Sequence, residues 1–207
     1  AKRSMTIDQY EQEFECSFEA AILGAYYGKE MRLLTDTGRI TQVDYDPIFP
    51  VHTAWDLGYS DDTAIWFYQV VHGEIRVLDY HSSNGHNVQY YADLIKSKQI
   101  ENDYHYGTHW LPHDARAKTM ASGGKSIIEQ LSSHIPLKYF KIVPSLSLQD
   151  GIQATRLALM RSWFDAEKCQ DGIECLRQYQ REYDEDKKNK NSFIQCFILC
   201  NFYQYYL

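Results

Sequence analysis

The sequence predicts an α/β fold in which helices flank a mixed β-sheet. Two observations predict it: three strand-like runs follow one another closely after residue 51, and helical and strand-like segments alternate after them. With 207 residues, of which 44% are hydrophobic, the chain can form one domain with a substantial core. This composition excludes a wholly disordered protein.

The first fifty residues differ in pattern from the rest of the chain. Asp8 to Tyr27 has helical character, and we expect that helix to end near Gly28. Residues 32–51 carry one glycine and two prolines, which predicts an extended connector. We therefore expect residues 1–50 to be the tail of a preceding domain and its linker.

Three strands are predicted next, at Thr53–Leu57, Thr63–Val71 and Ile75–Tyr80. The second run is rich in β-branched and aromatic residues, which favour strands. The connections are short, and His72-Gly73-Glu74 is typical of a turn. Short connections between neighbouring strands predict an antiparallel meander.

Helices and strands then alternate up to about residue 183. The predicted helices are Asn87–Gln99, Lys125–Ser132, Asp150–Phe164 and Gly172–Tyr183, and the predicted strands are Tyr106–Leu111 and Lys138–Val143. The composition changes again at the end, because residues 191–207 carry no charge. Asn, Gln and Tyr interrupt this stretch, which makes it a poor match to a membrane span.

Charge and cysteine content narrow the class of protein. The net charge of −7 argues against a protein that holds nucleic acid by bulk electrostatics alone. It does not exclude a nuclease, since metal-binding carboxylates add negative charge that a metal cancels. The five cysteines are scattered and lack paired C-x-x-C spacing, which predicts a reduced intracellular protein with buried thiols.

The first candidate site residue is Asp56, in the run Trp55-Asp-Leu-Gly58. An aspartate inside an apolar strand must be paired, bound to a metal or protonated, because burying a bare carboxylate is costly. The alternative is that Asp56 simply starts a turn, which Gly58 and the polar residues after it favour.

The second candidate is Asp114, just past the predicted strand Tyr106–Leu111. After a three-strand meander and a helix, the next strand commonly returns beside the first strand and parallel to it. Asp56 and Asp114 would then be neighbours, and two such carboxylates repel unless a divalent cation lies between them. Hard oxygen ligands suit Mg²⁺ or Mn²⁺, and two such ions could promote phosphodiester cleavage.

Three other motifs have simpler explanations. Gly123-Gly-Lys-Ser126 resembles the end of a phosphate-binding loop, but Thr119 stands where the motif needs glycine, so a glycine turn that opens a helix is expected. Three histidines are spaced by four residues across a loop and a strand, which does not favour a zinc site. They are His105, His109 and His113.

Five basic residues near the C-terminus are typical of a solvated helix surface, with a phosphate-tracking surface as the alternative. They are Arg156, Arg161, Lys168, Arg177 and Arg181.

Taken together, these motifs resemble a known family. Residues 52–66 are similar to the opening of the nuclease domain in the large terminase subunit of tailed bacteriophages. Residues 111–115, followed by 122–126, resemble the second acidic motif of that domain. Residues 10–40 resemble the end of the family's motor domain and its linker, and the likeness continues to about residue 186.

The resemblance implies a ribonuclease H-like fold over residues 51–186. It implies a nuclease that cuts concatemeric viral double-stranded DNA with two Mg²⁺ or Mn²⁺ ions held by acidic residues. Asp56 and Asp114 match the first two acids, and Asp62 matches a further acid near the site. Without a complete phosphate-binding loop, the chain is expected to be the nuclease part and to lack ATPase activity.

The end of the chain departs from the family. The third metal ligand of the family is an Asp that follows a Ser-His pair on a final helix, but residues 187–207 contain neither His nor Asp. Asp184, Glu185 and Asp186 are the candidates to replace it. The chain is therefore either a working endonuclease or a catalytically impaired nuclease-fold remnant that binds DNA or protein.

Partners and location follow from the same resemblance. It implies double-stranded DNA, the terminase small subunit and the portal protein as partners, with no membrane. It also implies the cytoplasm of the host cell during phage assembly as the location.

Overall fold

The computed structural model describes residues 25–58, 62–118 and 123–179. Within these ranges, one seven-stranded sheet is joined by α-helices and short 3-10 helices. The strands are β1 (Ile40–Thr41), β2 (Val51–Asp56), β3 (Thr63–Val71), β4 (Glu74–Ser83), β5 (Tyr106–Leu111), β6 (Phe140–Ile142) and β7 (Ser162–Asp165). The α-helices are α1 (Gly28–Asp36), α2 (Val88–Asn102), α3 (Ile127–Leu131), α4 (Leu148–Leu159) and α5 (Gln170–Gln178), and 3-10 helices cover His113–Arg116 and Leu137–Tyr139.

The sheet is mixed, with the strand order β1-β7-β4-β3-β2-β5-β6. β3 pairs antiparallel with both β2 and β4, and all other pairings are parallel. The predicted meander is therefore confirmed as β2-β3-β4. Its β3–β4 turn consists of His72 and Gly73, which both have positive φ (51° and 86°), the conformation that matches the twist of a tight hairpin.

Helices cover both faces of this sheet, as the alternating pattern predicts. One face packs against α1, α4 and α5, whose buried residues include Met31, Leu34, Ile152, Leu159, Ile173 and Leu176. The other face packs against α2 and α3, whose buried residues include Tyr91, Ala92, Ile95 and Leu131. Because both faces are covered, the first five residues of β2 are all buried.

Two contacts fix helices closely to the sheet. On α5, a Cβ atom at Gly172 would lie 2.8 Å from both Trp66 Cζ2 and Tyr80 Cδ2, so this close approach requires glycine. On the opposite face, Lys98 Nζ of α2 lies 2.5 Å from Oδ2 of the buried Asp79 in β4. These contacts hold α5 and α2 against the same central strands.

The segment predicted as one helix over Asp150–Phe164 is in fact a helix followed by a strand. α4 ends at Leu159, and β7 inserts between β1 and β4. Phe164 pairs with Ile40 on one side and Val77 on the other and is fully buried. Pairing on both sides outweighs the helical spacing that suggested a continuous helix.

The N-terminal prediction also needs correction. The structure begins a helix at Gly28 instead of ending one there, and the predicted connector contains most of α1 and all of β1. Tyr27, Met31 and Leu34 are buried against the sheet at helical spacing, which explains where α1 forms. The predicted helix from Asp8 lies mostly outside the described residues, and the boundary at residue 50 stays a prediction.

None of the helices in the described ranges is long and apolar enough to cross a membrane.

Candidate active site

The carboxyl ends of β2, β4 and β5 meet at one edge of the sheet. β2 is parallel to β5, and β4 is brought parallel to β2 by the antiparallel strand between them. In this register, Ala64 pairs with Asp56 on one side and with Ser82 on the other. This edge therefore collects side chains from segments that are far apart in sequence.

Asp56 is the last residue of β2 and is half-buried. Its Oδ2 atom is shielded from solvent. Shielding a carboxylate oxygen is costly unless a cation or a hydrogen-bond donor stabilises it. Asp56 is paired in β2 and is the last residue of that strand, at the edge where the next segment begins.

Asp114 lies on the 3-10 helix that follows β5 directly. β5 is the parallel neighbour of β2, with Thr53 opposite His109 and Ala54 opposite Trp110. Continuing this register puts Asp114 two residues beyond the level of Asp56. The predicted return of this strand beside β2 is confirmed, and Asp114 is exposed at the edge where β2 ends.

Asp62 lies on the other side of β2, immediately before β3. Its charge acts on the hydroxyl of Tyr80 and on the thiol of Cys175 in α5. Burial raises the pKa of both groups above the ordinary values, and the negative charge of Asp62 adds to the rise. Asp62 is thus half-buried and near Tyr80 of β4 and Cys175 of α5.

The donor chemistry at the edge suits a hard divalent cation, since Asp56 and Asp114 offer carboxylate oxygens. In residues 25–58, 62–118 and 123–179, however, no three His, Cys, Asp or Glu side chains form a group that could hold a metal. The candidate replacements for the third acid, Asp184, Glu185 and Asp186, lie outside the described residues. The described residues therefore supply two carboxylates, Asp56 and Asp114, at the ends of the adjacent strands β2 and β5. A third carboxylate, Asp62, lies on the β3 side of β2.

The match to a protein-family model decides the identity of the domain. Residues 53–190, more than half of the chain, match the model described as the terminase RNaseH-like domain. The chain belongs to this terminase family. The mixed seven-stranded sheet with flanking helices is accordingly an RNase H-like terminase nuclease fold, as the resemblance implied.

Solved terminase structures share this fold. A large terminase from a thermophilic bacteriophage is 18% identical with a TM-score of 0.57, over 79% of this chain and 41% of that one. The large terminase nuclease from the thermophilic phage G20c, solved with bound cobalt, is 12% identical with a TM-score of 0.51, over 81% of this chain and 94% of that one. The chain spans about two fifths of the length of the first of these proteins. No curated protein sequence matches.

The glycine-rich segment of the terminase domain is a turn that opens a helix, as expected. Gly123 and Gly124 both have positive φ (64° and 79°). The Ser126 hydroxyl accepts a hydrogen bond from the Glu129 amide, and the Glu129 carboxylate accepts one from the Ser126 amide. This capping box starts α3.

Two buried histidines on β2 and β5, His52 and His109, were not predicted from the sequence. Trp55 Nε1 donates to Thr53 Oγ1 over 2.7 Å, so the Thr53 hydroxyl can give its own proton to His109 Nδ1, also at 2.7 Å. His52 Nδ1 accepts a hydrogen bond from the Thr108 amide. Burial lowers the pKa of both imidazoles from 6.5 to about 4.

The sequence contained a weak signal for the burial of His109. His109 was considered only for its spacing from His105 and His113, but its place on an apolar strand predicts burial. In the structure His109 is buried, whereas His105 and His113 are exposed. The three histidines therefore do not act as a set.

Proposed function

We propose that this terminase domain is a divalent-metal-dependent endonuclease that cuts concatemeric viral double-stranded DNA. The observation that carries the proposal is the pair of acids, Asp56 and Asp114, at the ends of adjacent parallel strands. Family membership supports the nuclease class. The cobalt bound by the G20c nuclease supports the use of a divalent ion.

In this proposal, Asp56 and Asp114 bind Mg²⁺ or Mn²⁺, with two ions expected and Asp62 as an accessory ligand. When bound, such ions activate a water and stabilise the leaving oxygen of a phosphodiester. Strand pairing fixes the backbone of Asp56, and its half-buried side chain lies at the edge where β2 ends. Asp114 is exposed on a short turn and stands where a DNA phosphate can approach.

A second candidate is a nuclease-fold module that binds DNA or packaging proteins without cutting. It is favoured by the lack of any group of three metal-ligand side chains among the described residues. In either case, the terminase small subunit, the portal protein and the host cytoplasm are the proposed partners and location.

Plasmid nicking distinguishes the two candidates. Supercoiled plasmid is incubated with the full chain and Mn²⁺ or Mg²⁺, beside a chelated control. Asp56→Asn and Asp114→Asn are expected to lower the nicking rate on the order of 100-fold or more, because each removes a charged metal ligand. Asp62→Asn is expected to lower it less.

Asp36→Asn is the matched control, since it removes one exposed carboxylate on α1. It should leave nicking unchanged. Nicking that persists in Asp56→Asn or after chelation would contradict the endonuclease proposal. A folded chain that binds DNA but never nicks it would favour the non-cutting module.

A further inference from the structure

A pocket lies on the face of the sheet that packs against α2 and α3, away from the candidate active site. Its volume is about 290 Å³, and α2, the start of β5 and the segment after α3 form its walls. Tyr106, in one wall, pairs with Val51, five residues before Asp56 in β2. At about 3.3 Å per residue, this places the wall roughly 17 Å below the level of Asp56.

Nitrogen donors line this pocket. They include the exposed Lys96 and His105, the half-buried His134 and the buried His109. None of the described residues that line the pocket is Asp or Glu. Because the chain as a whole has a net charge of −7, a pocket with donors and no acid differs from the rest of the molecule and favours an anion.

His109 is the buried donor in the pocket wall. Its Nδ1 lies 2.7 Å from the Thr53 hydroxyl oxygen, which already accepts a hydrogen bond from Trp55 Nε1. The Thr53 proton is therefore directed to Nδ1, and the hydrogen-bond network places the ring's own hydrogen on Nε2. Burial lowers the pKa of His109 to about 4, so the ring stays neutral at pH 7 and offers this one N–H.

The other three donors are not engaged within the described fold. Among the described residues, no hydrogen bond or ion pair involves the side chains of Lys96, His105 or His134. Lys98, in the same helix as Lys96, is by contrast paired with Asp79. An ammonium and two imidazoles offer a charge and several N–H donors, which suits the multiple acceptor oxygens of a phosphate group.

Aromatic rings form the rest of the pocket wall. The Tyr106 ring centroid lies 5.1 Å from that of His109, and the Tyr106 hydroxyl donates to the Ile95 carbonyl at 3.1 Å, which fixes this ring. Tyr139 lines the pocket as well. Flat apolar walls beside donors suit an aromatic ring that carries an anionic group. The volume is near the lower end of the range for small-molecule pockets and far too small for a DNA duplex.

We infer that this pocket binds a nucleoside monophosphate. Lys96, His105 and His134 hold the phosphate, and the base packs against the rings of Tyr106 and Tyr139. The pocket is separate from the Asp56–Asp114 edge, so the inference goes beyond the proposed function and does not depend on it.

The test is calorimetric titration of the full chain with AMP at millimolar concentration, without DNA or divalent metal. Lys96→Met and His134→Asn are each expected to weaken AMP binding about tenfold, because each removes a donor to a charged phosphate. Lys29→Met and His113→Asn remove an exposed lysine and an exposed histidine outside the pocket and are the matched controls. Both controls should bind AMP like the unmodified chain.

A second measurement follows the imidazole nitrogen resonances during the titration. AMP should shift those of His109, in the pocket wall, and leave those of His52, which is buried outside the pocket. Absence of AMP binding, equal losses in the pocket and control variants, or a shift at His52 alone would overturn the inference. Adenosine binding as tightly as AMP would overturn the phosphate site, and inorganic phosphate binding as tightly would overturn the base site. Because no DNA or metal is present, failure of the nuclease proposal leaves this result unaffected.

Discussion

Lowering the pH from 7.5 to 5 is expected to destabilise this domain by about 4 kcal/mol through His52 and His109 alone. Both imidazoles are buried, and both have a pKa of about 4 against an ordinary value of 6.5. In the unfolded chain they bind protons as the pH falls below 6.5. In the folded chain they stay neutral down to about 4, so acid favours the unfolded state.

The magnitude follows from the two pKa values. At pH 5, one histidine with this shift contributes about 2 kcal/mol less stability than at neutral pH, and two contribute about twice that. The local cause is visible at His109, whose Nδ1 faces the Thr53 hydroxyl. Because that hydroxyl already accepts from Trp55, a proton on Nδ1 would leave the Thr53 hydrogen without this acceptor.

The assay is urea unfolding at pH 7.5 and pH 5 for the unmodified chain, His109→Asn and His105→Asn. The asparagine at 109 keeps an acceptor near Thr53 but cannot titrate, so this variant should lose about 2 kcal/mol less on acidification. His105→Asn removes an exposed imidazole and should behave like the unmodified chain. If acidification destabilises His109→Asn as much as the unmodified chain, the reasoning about this buried imidazole is refuted.

Two further predictions concern the helix contacts. Gly172→Ala should lower the free energy of unfolding by about 1–3 kcal/mol, because its methyl group overlaps Trp66, and thermal melting checks this. A Tm equal to that of the unmodified chain would contradict the tight packing. Lys98→Met should cost about 3 kcal/mol, because it leaves Asp79 buried without its cation. Lys98→Met/Asp79→Leu should recover most of that loss in urea unfolding, and no recovery would argue against the ion pair as the cause.

The sequence predicted the part of the fold in which local pattern and topology agree. Thr63–Val71 is long, β-branched and followed by a His-Gly turn, so β3 and its hairpin could be predicted. The sequence also predicted that the strand after the meander and the next helix returns beside β2, which puts Asp56 and Asp114 on neighbouring strand ends. β7 was missed because four residues are too few to establish a period of two, and its strand character comes from β1 and β4.

The missed parts of the site depend on contacts distant in sequence. Thr53 meets His109 only because of the specific register between β2 and β5, which no local pattern specifies.

The two outer strands of the sheet have a consequence for assembly. β1 offers two residues at one end of the sheet and β6 offers three at the other. An incoming strand from another molecule would find too few backbone donors and acceptors there to extend the sheet. Contacts between copies of this chain, or with another protein, are therefore expected to use helices and loops, and these short outer strands disfavour edge-to-edge aggregation.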